Sequence, residues 1–146
     1  ERVTGDYADD VGLGSDLIAS DLGQAAADYG CKFVGNKYVY GGTDINNGID
    51  CSAFTQYVCG QFGILLPRTS KEQVKSGQAV ASLAEAKPGD LIFYSRNGTD
   101  EKVYHVTMYI GNGKMVHASN SKPYPQGGIK ISNVYGSPYK IRRVFN

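Results

Sequence analysis

No run of apolar residues in this sequence is long. The longest, such as Ile64 to Leu66, fall far short of the about 20 residues that span a bilayer, so no membrane span is expected. A strong charge of one sign is missing too. The formal net charge is +1 and no basic run is interleaved with aromatics, which removes nucleic acid as a partner. Cysteine is scarce and odd in number: Cys31, Cys51 and Cys59 cannot all pair, so a complete disulfide framework is excluded and at least one thiol is left over. There is no C-x-x-C or His-x-x-x-His pair and there are only two histidines, so a metal is disfavoured, and thiol chemistry at Cys51 requires neither metal nor cofactor. The segment DINNGID imitates a calcium loop through Asp44, Asn46 and Asp50. Gly48 stands one place early, however, and no Glu follows at the twelfth position, which leaves a turn-rich loop. Internal repeats and low-complexity segments are absent.

What is present is the make-up of one globular domain. At 146 residues, 41% hydrophobic and 20% charged, the chain is long enough for one real core and shows no bias to disorder. It begins at Glu1 with neither an initiator Met nor a signal sequence, so it reads as a mature or excised part of a longer chain, expected to be a monomer attached to upstream domains. Residues 1–19, with Asp6, Asp9, Asp10 and Asp16 among glycines, are expected to form a solvated linker or N-terminal extension, and residues 20–146 the domain. Ser20 reads as the N-cap of a helix over DLGQAAADYGCKFVG that stops at Gly35, with Cys31 on it as a small buried hydrophobe. KYVYGGTDINNG is then extended and turning. A second helix is predicted from about Cys51 to Phe62, ending at Gly63, with Phe54, Val58 and Phe62 facing a core. Cys59 lies off that stripe and receives no chemical role. Ser70 and Gln73 make a capping-box pattern for a short helix ending at Gly77. Thereafter DLIFYSR, YHVTMYIGNGKMVHAS, GIKIS and YKIRRVF read as strands. Helices first and strands later give an α+β domain with an antiparallel sheet.

GIDCSAFTQYVCGQFG sets Cys51 between an acid and a serine at the first turn of the second helix. There, about half a positive charge from unpaired N–H groups favours thiolate over thiol, which marks Cys51 as a nucleophile. At an unperturbed pKa of about 8.5 little thiolate exists at neutral pH; the helix field and a nearby imidazolium are expected to lower it to about 3.5–7.5. Such a nucleophile needs a base, and both histidines, His105 and His117, lie in one strand-turn-strand pattern. Their cooperation depends on the turn. A two-residue Asn112-Gly113 loop would set His117 opposite Met108, on the other face from His105. A three-residue Gly111-Asn112-Gly113 loop, a type I turn with Gly113 left-handed, sets it opposite Thr107, and the histidine backbones become diagonal neighbours about 7–8 Å apart. The second geometry permits a Cys-His-His constellation.

KYVYGG, DCSAF, LPRTS, KPGDLIFY, HVTMYIGNG and VHAS, in this order from about Ser20 to the C-terminus, resemble the NlpC family of papain-like bacterial cell-wall peptidases. The resemblance implies a circularly permuted papain-like fold in which the nucleophile's helix packs on an antiparallel sheet that presents the histidines. It implies a peptidoglycan stem peptide as partner, cleaved between γ-D-glutamyl and the next diamino acid, and a secreted or cell-wall-associated setting. Position by position, Cys51 matches the nucleophile, His105 the general base and His117 the polar residue that orients the base. Tyr38 matches a tyrosine beside the nucleophile that donates to the oxyanion or the substrate. Asp50 and Ser52 match positions lining the pocket, one for a free amine and one for the D-glutamyl carboxylate. Arg68 is either a carboxylate partner for substrate or half of a structural salt bridge. Tyr40, where many members carry Trp, is expected to be a packing aromatic. Ala53 and Thr107 stand where Gly is usual, and Thr107 beside the histidines would narrow the pocket. The rival readings are an amidase or acyltransferase on the same scaffold and a non-catalytic wall-binding module. The intact set of Cys51, His105, His117 and Tyr38 counts against the latter.

Overall fold

The structure, a computed structural model, describes residues 15–145. The expected acidic linker falls largely outside these residues, but Ser15–Cys31 form one helix, α1. Helix α1 therefore starts before Ser20: Leu17, Ile18 and Ala19 are helix-compatible, and Ser in a helix interior costs well under about 1 kcal/mol. It also stops before Gly35. The chain after Cys31 closes in tighter turns, Lys32 N–H to Tyr29 O at 3.1 Å and Phe33 N–H to Gly30 O at 3.3 Å, before Gly35 reverses it at φ 102°. Cys31 is half-buried against the core.

A small hairpin, β1 (Thr43–Asp44) and β2 (Gly48–Ile49), leads into helix α2 (Cys51–Gly60). Phe54 and Val58 are fully buried and Phe62, just past the helix, is 3% exposed, so the predicted stripe does face the core. A single turn, α3 (Ser70–Gln73), follows. The capping box does not form: the N-cap is Thr69, and Gln73 turns inward and is fully buried. Its amide NH₂ donates to Ser52 O (2.9 Å) and Pro67 O (2.8 Å) while its carbonyl accepts from Thr55 Oγ1 (2.8 Å). A buried amide with every partner in place ties α3 to the first turn of α2.

Six strands make the main sheet: β3 (Gln78–Val80), β4 (Leu91–Ser95), β5 (Val103–Gly111), β6 (Lys114–Ser119), β7 (Gly128–Asn133) and β8 (Lys140–Arg143). Their spatial order is β3-β8-β4-β5-β6-β7 and every neighbouring pair is antiparallel. Strand β3 and the β1–β2 hairpin escape the sequence pattern because two or three residues are too few to show an alternation. Side chains alternate between the faces of the sheet. Leu91, Phe93, Val106, Met108 and Val116 meet Phe54 and Val58 of α2 and Ala26 of α1 in the larger core. Ile92, Tyr94, Tyr109, Met115 and Ile141 form a second core on the far face. Asp90, 2% exposed, fixes the start of β4 by accepting two bonds from Arg143, at 2.9 and 2.8 Å. No helix among the described residues is long and apolar enough to cross a membrane.

Candidate active site

Cys51 opens α2, and its neighbours hold that end in place. Asp50 is the N-cap, with extended backbone (φ −93°, ψ 179°) and Oδ1 accepting the Ala53 N–H at 2.8 Å. Arg68 closes on the same carboxylate from outside, Nη1 to Oδ1 at 3.1 Å and Nη2 to Oδ2 at 2.8 Å, and also donates to Ser52 Oγ at 2.9 Å. Of the two roles open to Arg68, the intramolecular bridge is the one formed. The Tyr38 segment is pinned alongside: Tyr38 bridges Ile49, Val39 N–H reaches Ile49 O at 3.3 Å, and Asp50 N–H reaches Gly42 O at 3.0 Å. Gly42 is required there, since a Cβ would lie 2.5 Å from Gly48 O. Thus YVYGG and DCS, a dozen residues apart in sequence, become one surface.

The β5–β6 hairpin brings the histidines together, by a route that differs from the expected one. Asn112 (φ 57°) and Gly113 (φ 74°) form a two-residue loop with both centres left-handed, the type I′ pattern. Alone this would separate the imidazoles. A bulge between Tyr109 and Gly111, with Gly111 at φ 96°, absorbs one residue, so Met108 pairs with Val116 and Tyr109 with Met115. Continued by one residue, this register sets His117 opposite Thr107. His105 Nε2 and His117 Nδ1 lie 2.8 Å apart, and His117 Nε2 is 3.0 Å from Ser132 Oγ on β7. The β5–β6 ladder ends at Met108 and Val116, and beyond it the Val106 N–H, beside His105 in the chain, serves the Cys51 sulfur.

Burial governs the protonation states. It pushes the Cys51 thiol up, against the Val106, Ser52 and Cys51 N–H groups that favour thiolate. The expected lowering is therefore not the resting condition: desolvation outweighs the N–H groups while the imidazoles are neutral. Burial, with the charge of Lys130, lowers His105 to about 4; burial and the neighbouring His105 lower His117 to about 3. At neutral pH the site rests as thiol and two neutral imidazoles. Tyr38 is pushed up to about 12, by burial and then by Cys51 and Asp50, and so remains a donor.

An open cleft of about 690 Å³ includes Cys51 in its lining, together with Tyr38, Asp50, Ser52 and Arg68. Tyr40 also lines it and is 89% exposed, so it is not the packing aromatic expected. Its chain is held by backbone bonds to β2, which leaves its ring free to face solvent. Thr107 is fully buried, with its hydroxyl unpartnered, and does not narrow the cleft as expected. Asp44 is engaged by the backbone N–H groups of Asn46 (2.9 Å) and Asn47 (3.2 Å) and by the Asn47 amide (2.9 Å), as a turn-rich loop requires. No group of three His, Cys, Asp or Glu side chains suited to a metal occurs among the described residues.

The NlpC/P60 family model matches residues 35–145. The chain belongs to the NlpC/P60 family. It is 41% identical over 106 residues to a probable endopeptidase p60 of Listeria seeligeri, covering 73% of this chain and 18% of that protein. It is 39% identical over 109 residues to the gamma-DL-glutamyl hydrolase of Bacillus subtilis, covering 74% of this chain and 25% of that one. The chain thus spans a quarter or less of the length of these curated relatives. The crystal structure of an NlpC/P60 family protein from Bacillus cereus superposes with a TM-score of 0.72 at 32% identity, covering 83% of this chain and 39% of that one. The fold is the papain-like α+β arrangement of NlpC/P60 domains.

On this NlpC/P60 domain, two side chains at the site, Ser132 and Tyr135, carried no mark in the sequence, and a third, Gln73, carried a misleading one. Ser132 ends the histidine relay, but a lone serine in a six-residue strand is unremarkable until β7 pairs with β6. Tyr135 stacks on Tyr94 (centroids 5.0 Å apart), lies 6.4 Å from the His117 ring, and has Cys51 within electrostatic reach. Gln73 looked like a helix cap and is instead a buried tether.

Proposed function

We propose that this domain is a cysteine peptidase that cleaves peptidoglycan stem peptides outside the cytoplasm, at the bond between γ-D-glutamyl and the next diamino acid. The observation that carries the reading is the 2.8 Å contact between His105 Nε2 and His117 Nδ1, together with the bond from the Val106 N–H, one residue after His105, to the sulfur of a cysteine at a helix N-terminus. The relatives' names, endopeptidase and gamma-DL-glutamyl hydrolase, support a peptidase acting at a γ-glutamyl bond.

The hydrogen bonds favour one tautomer set for this chemistry. His105 carries its proton on Nε2 and donates to His117 Nδ1, while His117 donates from Nε2 to Ser132. His105 Nδ1 is then free to take the Cys51 proton, and the same bonds survive when His105 becomes an imidazolium. The thiolate attacks the amide carbonyl; the Cys51 N–H and the Tyr38 hydroxyl hold the oxyanion, where loss of one donor typically costs about 2.7–4 kcal/mol. His105 gives its proton to the leaving amine. Water, deprotonated by His105, then cleaves the thioester. Digestion of purified peptidoglycan with mass identification of the fragments tests the reading. New termini at γ-D-glutamyl residues are expected, and cuts only at other bonds would contradict it.

A further inference from the structure

We propose that Arg96 and Tyr104 form a carboxylate-binding subsite in the cleft that Asp50, Ser52 and Arg68 also line. The proposal rests on the peptidase reading for its substrate and on separate geometry for its site. Tyr94 pairs with His105 and Ser95 with Val103, so Tyr104 is the extra residue of a β-bulge immediately before the candidate base. Such a bulge re-aims a side chain. Here the ring is 46% exposed and lines the cleft, and the Arg96 guanidinium sits 4.6 Å from its centroid. This cation–π contact holds the guanidinium over the ring, and no hydrogen bond among the described residues uses its N–H donors, which can then make a two-pronged bond.

Hydrogen bonds brace the loop that presents Arg96. Ser95 Oγ accepts from Gly98 and Thr99 N–H, both at 3.1 Å, and donates to Thr99 O at 2.7 Å; Arg96 N–H closes the loop on Lys102 O at 3.0 Å. Charge points the same way. In the cleft Asp50 and Arg68 neutralise each other, which leaves Lys71, Arg96 and Lys102 against the single carboxylate of Glu101. Arg96 makes no ion pair among the described residues. A surplus of positive charge around a stacked guanidinium fits a peptide bearing carboxylates. Two sources have that chemistry: the α-carboxylate that a γ-linked glutamyl residue leaves free, and a carboxylate of the diamino acid.

Calorimetric binding to Cys51→Ala protein separates them, with three peptides: γ-D-glutamyl-diaminopimelate, its glutamyl α-amide, and its diaminopimelyl amide. One amide is expected to bind about tenfold more weakly than the parent peptide, and that loss should vanish in the Arg96→Gln background and partly persist with Arg96→Lys. Tyr104→Leu, which removes the platform, should shrink the loss, and raising salt should shrink it in unaltered Arg96 protein. If neither amide matters, or each loss is unchanged by Arg96→Gln, the subsite is overturned. Cleavage of the same peptides by the unaltered protein is read separately. Absence of cleavage with the Arg96-dependent preference intact would sink the peptidase reading and sustain the subsite.

Discussion

In the proposed mechanism the two ring nitrogens of His105 have different tasks, one toward the thiol and one toward His117. Nε2 is held by His117 at 2.8 Å, which leaves Nδ1 for the thiol. An Asn at position 117 can offer its carbonyl near where Nδ1 stood, so His117→Asn should retain part of the rate, whereas His105→Asn removes the base. Rates should fall in the order parent, His117→Asn, His105→Asn; reversal of the last two would contradict the roles. The protonation states also set the pH profile. If Cys51 and His105 act as proposed, the active form has one proton between them and the rate should follow a bell. Because burial lowers His105 to about 4 and raises the thiol, the acid limb should fall near pH 4, not near 6.5, and the alkaline limb should lie above the ordinary thiol range. Initial rates from pH 3 to 10 measure this. An acid limb near 6.5 would show that the histidine is solvated during turnover.

The β5–β6 hairpin decides whether His105 and His117 meet. Type I′ geometry needs positive φ at both Asn112 and Gly113, and Val at position 113 would be strained there at a cost of about 1–3 kcal/mol. Gly113→Val should therefore lower activity by about tenfold or more, although residue 113 does not line the cleft. A melting curve, which should fall, and a crystal structure of the variant, which should show a shifted β5–β6 register, check the cause; full activity would contradict it. The need for the histidines to share a face was legible in the sequence, and so was the turn at Asn112-Gly113. The bulge that reconciles a two-residue loop with that face was not, because a bulge at Ile110-Gly111 leaves the apolar alternation on each strand intact. Helix α2 and strands β4 to β8 were legible for a simpler reason: their periodicity or β-branched content extends over several residues. What stayed hidden was set by contacts distant in sequence, as with Gln73 under Ser52, Ser132 behind His117 and Tyr40 turned to solvent.

Over the whole molecule, burying two neutral histidines couples stability to acid. Both have folded pKa values below their ordinary 6.5, so the unfolded chain binds more protons than the native one as pH falls. The stability they confer is full above about pH 6.5 and is lost as pH drops through about 4 and 3. A replacement of both histidines by Asn and Gln should flatten the fall of Tm between pH 6.5 and 4, and an unchanged slope would mean that other groups carry it. The same burial raises the Cys51 thiol and so favours its protonated form. Cys31 and Cys59, one half-buried and one fully buried, stand outside the site. The most direct test is the rate at which folded Cys51→Ala protein cleaves purified wall peptide, beside Cys31→Ala and Cys59→Ala. Loss of cleavage in the first with an unchanged melting curve, and activity in the other two, is the predicted result; cleavage by Cys51→Ala at the parent rate would contradict the account.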